Sequence, residues 1–252
     1  MVRALVSTDW LAARLDAPDV RVVDVRWYLD PARRGAEAYR AGHLPGAVFL
    51  DVDGDLSAPG GGRGRALGRH PWPAADQVAR VMGAAGIGAG TEVVAYDDQA
   101  GAIAARLWYL LRAHGHDAVG WVVSKGEMER RPPRWLVLDA RAPERYRGDA
   151  EPVDPRAGHI PGARSAPFAG NLTGGPLPVF RPAAELRERY RALGAEAAEP
   201  IVYCGSGVTA CHDLLALELA GLRGRLYAGS WSEWSADPRL PVATGDEASA
   251  SR

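Results

Sequence analysis

The 252-residue chain contains the same message twice, and that repetition limits its fold more than any other feature. Val22-Val23-Asp24-Val25-Arg26 returns as Val137-Leu138-Asp139-Ala140-Arg141, and Gly42-His43-Leu44-Pro45-Gly46-Ala47 returns as Gly158-His159-Ile160-Pro161-Gly162-Ala163. A third echo pairs Val93-Val94-Ala95-Tyr96-Asp97 with Pro200-Ile201-Val202-Tyr203-Cys204. Three ordered matches at similar spacing mark a duplication. In each copy short Val/Leu-rich runs (21–25, 92–96, 135–139, 200–203) lie between longer periodic segments such as 103–113 and 209–220. The runs are apolar without alternation, as in strands buried on both faces of a parallel sheet. Gly115 and Gly221 sit where helices stop. The expected fold is α/β: two tandem domains, residues 1–122 and 123–252, each a mainly parallel sheet flanked by helices.

Composition narrows the function. Lys+Arg number 30 against 31 Asp+Glu, a formal charge of −1, so there is no basic excess to hold nucleic acid or an anionic membrane. The N-terminal residues have no continuous apolar stretch of the kind a signal peptide needs, and no run approaches a membrane span, so a cytoplasmic protein is expected. The only cysteines are Cys204 and Cys211. They are too few and too close for a disulfide scaffold, and they lack the companion ligands of a zinc site.

Cys204 opens the segment Cys-Gly-Ser-Gly-Val-Thr, which leads from a strand through a Gly-bearing loop into a helix. In open parallel sheets, ligands bind beyond the carboxyl ends of strands, where this cysteine falls. Gly205 and Gly207 let successive backbone N–H groups face one centre, and the helix beginning near Thr209 adds its positive end. Both effects stabilise a thiolate, and equally a persulfide anion on the same sulfur. A buried core cysteine is the alternative for Cys204; for Cys211, two turns into the helix, core filler is the better reading.

The loop from Cys204 to Cys211 resembles the active-site loop of the rhodanese family, closest to its 3-mercaptopyruvate sulfurtransferase branch. Thiosulfate-preferring members carry basic residues after the cysteine, where this chain has Gly205 and Ser206. Both Gly-His-x-Pro-Gly-Ala segments and the closing Gly229-Ser230-Trp231-Ser232-Glu233-Trp234 agree, so the resemblance runs from about Val6 to Thr244. It implies that the first copy, with Asp97 at the cysteine position, is catalytically silent and walls the active site.

The resemblance also implies a site and a reaction. Cys204 would be the nucleophile, taking sulfur from 3-mercaptopyruvate as a persulfide, releasing pyruvate, and passing the sulfur to a thiol acceptor such as thioredoxin, or to cyanide. Arg145 and Arg156 would clamp the substrate carboxylate, Arg being suited to planar bidentate contacts. The loop residues Gly205, Gly207, Val208 and Thr209 would cradle the donor, and Ser206 would donate to its keto oxygen. Asp139 enters as a catalytic candidate, more as the orienter of an arginine than as a base. His43 is a candidate relay partner for Ser206, although its recurrence as His159 favours a structural role for both. Trp27 is a candidate for the domain interface. No metal or organic cofactor is expected.

Other readings remain open. Thiosulfate:cyanide sulfurtransferase differs only in donor, and a non-catalytic sulfur carrier or interaction module would keep the fold without turnover. A Cys-x5-Arg phosphatase of related fold would need an arginine where this chain has Ala210. The glycine-rich run at 59–65 lacks the Lys-Ser/Thr ending of a P-loop and reads as a flexible surface loop. One departure from the family stands out. The first copy lacks a counterpart of residues 229–234 and the linker after it, the chain running from His116 directly into the opening of the second domain.

Overall fold

The computed structural model describes residues 4–116 and 121–246. The first repeat comprises α1 (Thr8–Ala12), β1 (Val20–Asp24), α2 (Gly35–Ala41), β2 (Val48–Phe49), α3 (Ala75–Ala84), β3 (Glu92–Tyr96) and α4 (Ala104–Leu111). The second comprises β4 (Trp121–Val123), α5 (Lys125–Glu129), β5 (Val137–Asp139), α6 (Pro143–Arg147), β6 (Ala163–Ser165), α7 (Ala183–Ala192), β7 (Ile201–Tyr203), α8 (Ala210–Leu219), β8 (Arg225–Tyr227) and α9 (Ser230–Ala236). Every pairing in the two sheets is parallel, with strand orders β2-β1-β3 and β4-β8-β7-β5-β6. Three of the apolar runs became the central strands β1, β5 and β7, while that at 92–96 became the edge strand β3; β5 and β7 are buried at every position, which a parallel sheet covered on both faces requires. Gly115 and Gly221 both adopt positive φ where their helices end, a conformation that glycine reaches without steric penalty.

The two sheets are unequal. In the second, β8 lies between β4 and β7, and α9 follows it. In the first, the described residues hold no counterpart of either. The segment that matches β4 is Ala4–Val6: it runs into a helix capped by Ser7, as β4 runs into one capped by Ser124. Between that segment and β3 lies a groove of about 720 Å³ lined by Val93, Ala95, Leu107, Trp108 and Leu111. This is where β8 sits in the second sheet. The break read from the sequence after His116 thus corresponds to a missing strand and helix as well as a missing linker.

The repeats interlock through α4 and α8, which pack against each other. Ala105 and Tyr109 of α4 join the hydrophobic cluster of the second domain, while Val208 before α8 enters that of the first. Each domain therefore completes the other's core along the edge where Cys204 lies.

Candidate active site

Cys204 follows β7 directly and is almost fully buried. Its Sγ accepts a hydrogen bond from the Gly207 backbone N–H at 3.2 Å, the first sign of the curled loop that the glycines predict. Gly207 has φ +76°, and a Cβ there would lie 2.4 Å from the Ala228 carbonyl oxygen, so no other residue fits. The closing motif holds the loop from behind. Ser230 Oγ accepts from the Cys204 N–H at 3.1 Å, the N–H of Trp231 donates to the Cys204 carbonyl at 2.9 Å, and the N–H of Ser232 donates to that of Gly205 at 2.8 Å. The first amides of α9, which have no partners within their own helix, are thereby spent on the loop.

A hydrogen-bonded chain ends at this loop. Ser206 Oγ lies 2.7 Å from His70 Nδ1, and His70 Nε2 lies 2.8 Å from Asp53 Oδ1. A carboxylate can only accept, so Nε2 carries the proton and Nδ1 of the neutral ring accepts from the Ser206 hydroxyl. Trp27 Nε1 donates to the other Asp53 oxygen at 3.1 Å, and its ring meets His70 edge-on at 5.1 Å. Burial holds the His70 pKa below its ordinary value, with the hydrogen bond to Asp53 opposing. The same hydrogen bond is the main reason Asp53 is held below the usual carboxylate range.

The predicted residues separate into those at the site and those away from it. Arg145 reaches it. Its Nη2 donates to Glu151 at 2.6 Å and to Asp154 at 3.2 Å, and its Nη1 would lie 3.4 Å from a Cβ placed on Gly205. Val208 is buried in the first domain's core and anchors the loop there. Thr209 caps α8 through its backbone position, its side chain making no capping bond.

Arg156 is engaged elsewhere. Its guanidinium donates to the carbonyls of Trp234, Ser235, Asp237 and Leu240 at 2.6–2.9 Å, closing the C-terminus of α9, a task that takes four of its five N–H donors. Asp139 is fully buried and grips Arg141 through both oxygens, while Arg141 Nη2 also donates to the Gly158 carbonyl at 2.7 Å. Asp24, Arg26 and Gly42 repeat this arrangement in the first domain, where there is no cysteine, so the pair is an element of the fold and Asp139 serves as the orienter of an arginine. His43 stacks on Tyr39 and bonds its carbonyl, and His159 does the same with Tyr146. The imidazole that meets Ser206 is His70.

Sequence reasoning missed His70, Asp53 and Arg69. They flank the glycine-rich run at 59–65, which has no echo in the second repeat. Gly68, at φ +77°, passes so close to α9 that a Cβ would lie 2.8 Å from Ser232 Oγ, and the next N–H, of Arg69, donates to that oxygen at 3.0 Å. Arg69 then ion-pairs with Asp154, and its Nη2 comes within 2.6 Å of a Cβ placed on Gly205. Gly205 therefore leaves room for two guanidinium groups, Arg69 and Arg145. Beside His70 opens a cleft of about 580 Å³ whose walls include Trp27, Arg34, Asp53, Arg63 and Arg69.

Comparison with known proteins is consistent with this site. The rhodanese-like domain model matches twice, at residues 7–129 and 124–237. A Pseudomonas aeruginosa protein named a probable 3-mercaptopyruvate sulfurtransferase is 44% identical over 96% of this chain and 98% of its own. A Mycobacterium tuberculosis protein named for thiosulfate sulfurtransferase activity is 36% identical over 96% of this chain and 98% of its own. The structure of 3-mercaptopyruvate sulfurtransferase from Leishmania major superimposes with a TM-score of 0.78 at 26% identity, covering 94% of this chain and 75% of the other. The alignment with the Pseudomonas protein runs over 283 positions although this chain has 252 residues, as expected if the relative holds the segment absent after His116.

Proposed function

The chain belongs to the rhodanese family, and on that premise we propose that it is a sulfurtransferase that takes sulfur from 3-mercaptopyruvate onto Cys204 as a persulfide. The observation that carries the choice of donor is the Asp53–His70–Ser206 chain ending beside the cysteine loop. The Cys204 thiolate attacks the donor sulfur, the carbon–sulfur bond breaks, and its electron pair collects on the keto oxygen as the enolate of pyruvate. A hydroxyl beside that oxygen lowers the barrier, and Ser206 supplies one by turning its proton from His70 Nδ1 toward the keto oxygen. Protonation of the methylene carbon completes pyruvate. Thiosulfate has no keto oxygen and would gain nothing from that chain. Arg145, with Arg69 in the place expected of Arg156, is the cationic clamp for the substrate carboxylate.

In the second half, an acceptor thiolate attacks the outer sulfur and Cys204 leaves as thiolate. We assign the acceptor to the thiol class, such as thioredoxin, with cyanide as the alternative, and the compartment to the cytoplasm; among the described residues no helix is long and apolar enough to cross a membrane. The runner-up donor is thiosulfate, favoured by the two guanidinium groups over Gly205, which suit a sulfonate. Turnover of purified protein with each donor, beside Cys204→Ser, tests the reading. Preference for 3-mercaptopyruvate that the substitution abolishes is the expected result. Preference for thiosulfate overturns the donor, and activity surviving in the variant overturns the nucleophile.

A further inference from the structure

Arg106 is a buried cation without a carboxylate. It lies in α4 of the silent domain, is 0% exposed, and among the described residues forms no ion pair. Its Nη1 donates to the Gly207 carbonyl at 3.0 Å, and its Nη2 to those of Leu56 and His70 at 3.2 and 3.3 Å. The guanidinium lies over the Trp72 ring at 4.7 Å. Carbonyls and a ring solvate such a charge but do not neutralise it, and an unpaired charge in a protein interior is costly enough that a counter-ion is expected. An arginine cannot escape by releasing its proton.

Two sulfur atoms lie near enough to this charge for each to act on it electrostatically. Cys211 Sγ donates to the same Gly207 carbonyl at 3.3 Å, and burial pushes its thiol up to about 12, so it stays neutral. Cys204 Sγ is held by the Gly207 N–H, one residue's width from the carbonyl that Arg106 grips. We propose that Arg106 is the counter-charge of the anionic Cys204 sulfur and a positioning residue for the loop, tying it to His70 across the domain interface. This rests on Cys204 being the nucleophile. It also gives the silent domain an electrostatic role in addition to forming a wall. Because the cation is permanent and the sulfur alternates between thiolate and persulfide anion, one residue serves both half-reactions.

The test reads the sulfur without any donor. Other ionisable groups near the loop are His70, Asp53 and Arg69 from the first domain and Cys211, Arg145, Glu151 and Asp154 from the second. The experiment is therefore run in a Cys211→Ala background, with Arg106 alone varied. The rate of Cys204 alkylation by iodoacetamide is followed against pH in the folded protein, in Arg106→Lys and in Arg106→Gln. Glutamine keeps an N–H donor for the Gly207 carbonyl and loses the charge; lysine keeps the charge and loses the fork. The expected result is a midpoint moved upward by about one pH unit or more in Arg106→Gln, with alkylation at pH 7 roughly tenfold slower, and a midpoint little moved in Arg106→Lys. Equal midpoints in Arg106→Gln and its parent, or equal shifts in both variants, overturn the proposal. Should Arg106→Gln fail to fold, the parent decides: a folded-state midpoint no lower than that of the urea-unfolded chain overturns it. None of these readings depends on which donor the protein uses, so failure here is separable from failure of the donor assignment.

Discussion

The two repeats build the same loop and fill it differently. After β3, the carboxylate of Asp97 accepts four backbone hydrogen bonds, from the N–H groups of Gln99, Gly101, Ile103 and Ala104 at 2.7–2.9 Å. After β7, the sulfur of Cys204 accepts one. The third residue past each of them, Ala100 and Gly207, has positive φ, so the backbone path is shared even where alanine must strain to follow it. The first loop shows what the curl is for: it turns several amides toward one acceptor, and there the Asp97 side chain takes them. The live loop places a chargeable, polarisable atom in the same frame, with amides left for whatever arrives. What separates them beyond that atom is the surroundings, since only the second loop is met by His70, Arg69 and Arg106.

The sharpest way to press this comparison is to turn the live loop into the silent one. Cys204→Asp should lose turnover with either donor by at least about a thousandfold, yet unfold at an unchanged or higher temperature, because a carboxylate suits the nest. A large drop in Tm would mean the two loops are not alike. His70→Asn comes next. It should lower kcat/KM for 3-mercaptopyruvate by roughly a hundred- to a thousandfold and that for thiosulfate far less, a split that a purely structural histidine would not produce.

Arg156→Met should cost about 2–3 kcal/mol in denaturant unfolding, from four orphaned carbonyls, and leave KM for both donors near the parent value. A selective rise in KM would return it to the substrate clamp. The smallest effect concerns Asp213, which stands nine residues past Cys204 as Arg106 stands past Asp97. Burial pushes its carboxyl up to about 7, so the folded state keeps a proton that the unfolded chain releases near pH 4. The stability this confers is complete below pH 4 and is lost as pH rises through 7. Asp213→Asn should therefore gain on the parent progressively between pH 4 and pH 8 in parallel urea titrations. A pH-independent difference would contradict the burial.

The fold was legible in the sequence because duplication and apolar runs are local signals that packing preserved. The strands read at 92–96 and 200–203 correspond to β3 and β7, and the segments read as helices at 103–113 and 209–220 hold α4 and α8. Cys204, Ser206 and Arg145 stand out in the sequence because they lie in motifs whose loops they shape. Arg156 shows that an arginine near a substrate motif looks the same from sequence whether it faces a ligand or a helix end. His70 and Asp53 were invisible for a different reason. They come from the other repeat, on a loop with no echo, and meet Ser206 only after the domains dock. Nothing in local pattern marks a residue whose partner is 136 positions away.

The groove beside β3 has a consequence for how this chain reaches its native state. A three-stranded sheet with one edge uncovered, and with Ala105 and Tyr109 directed outward, is a poor candidate for folding while its second half is still being synthesised. The nascent first repeat must wait, holding an unpaired strand edge exposed to its neighbours, until α8 emerges to complete its core.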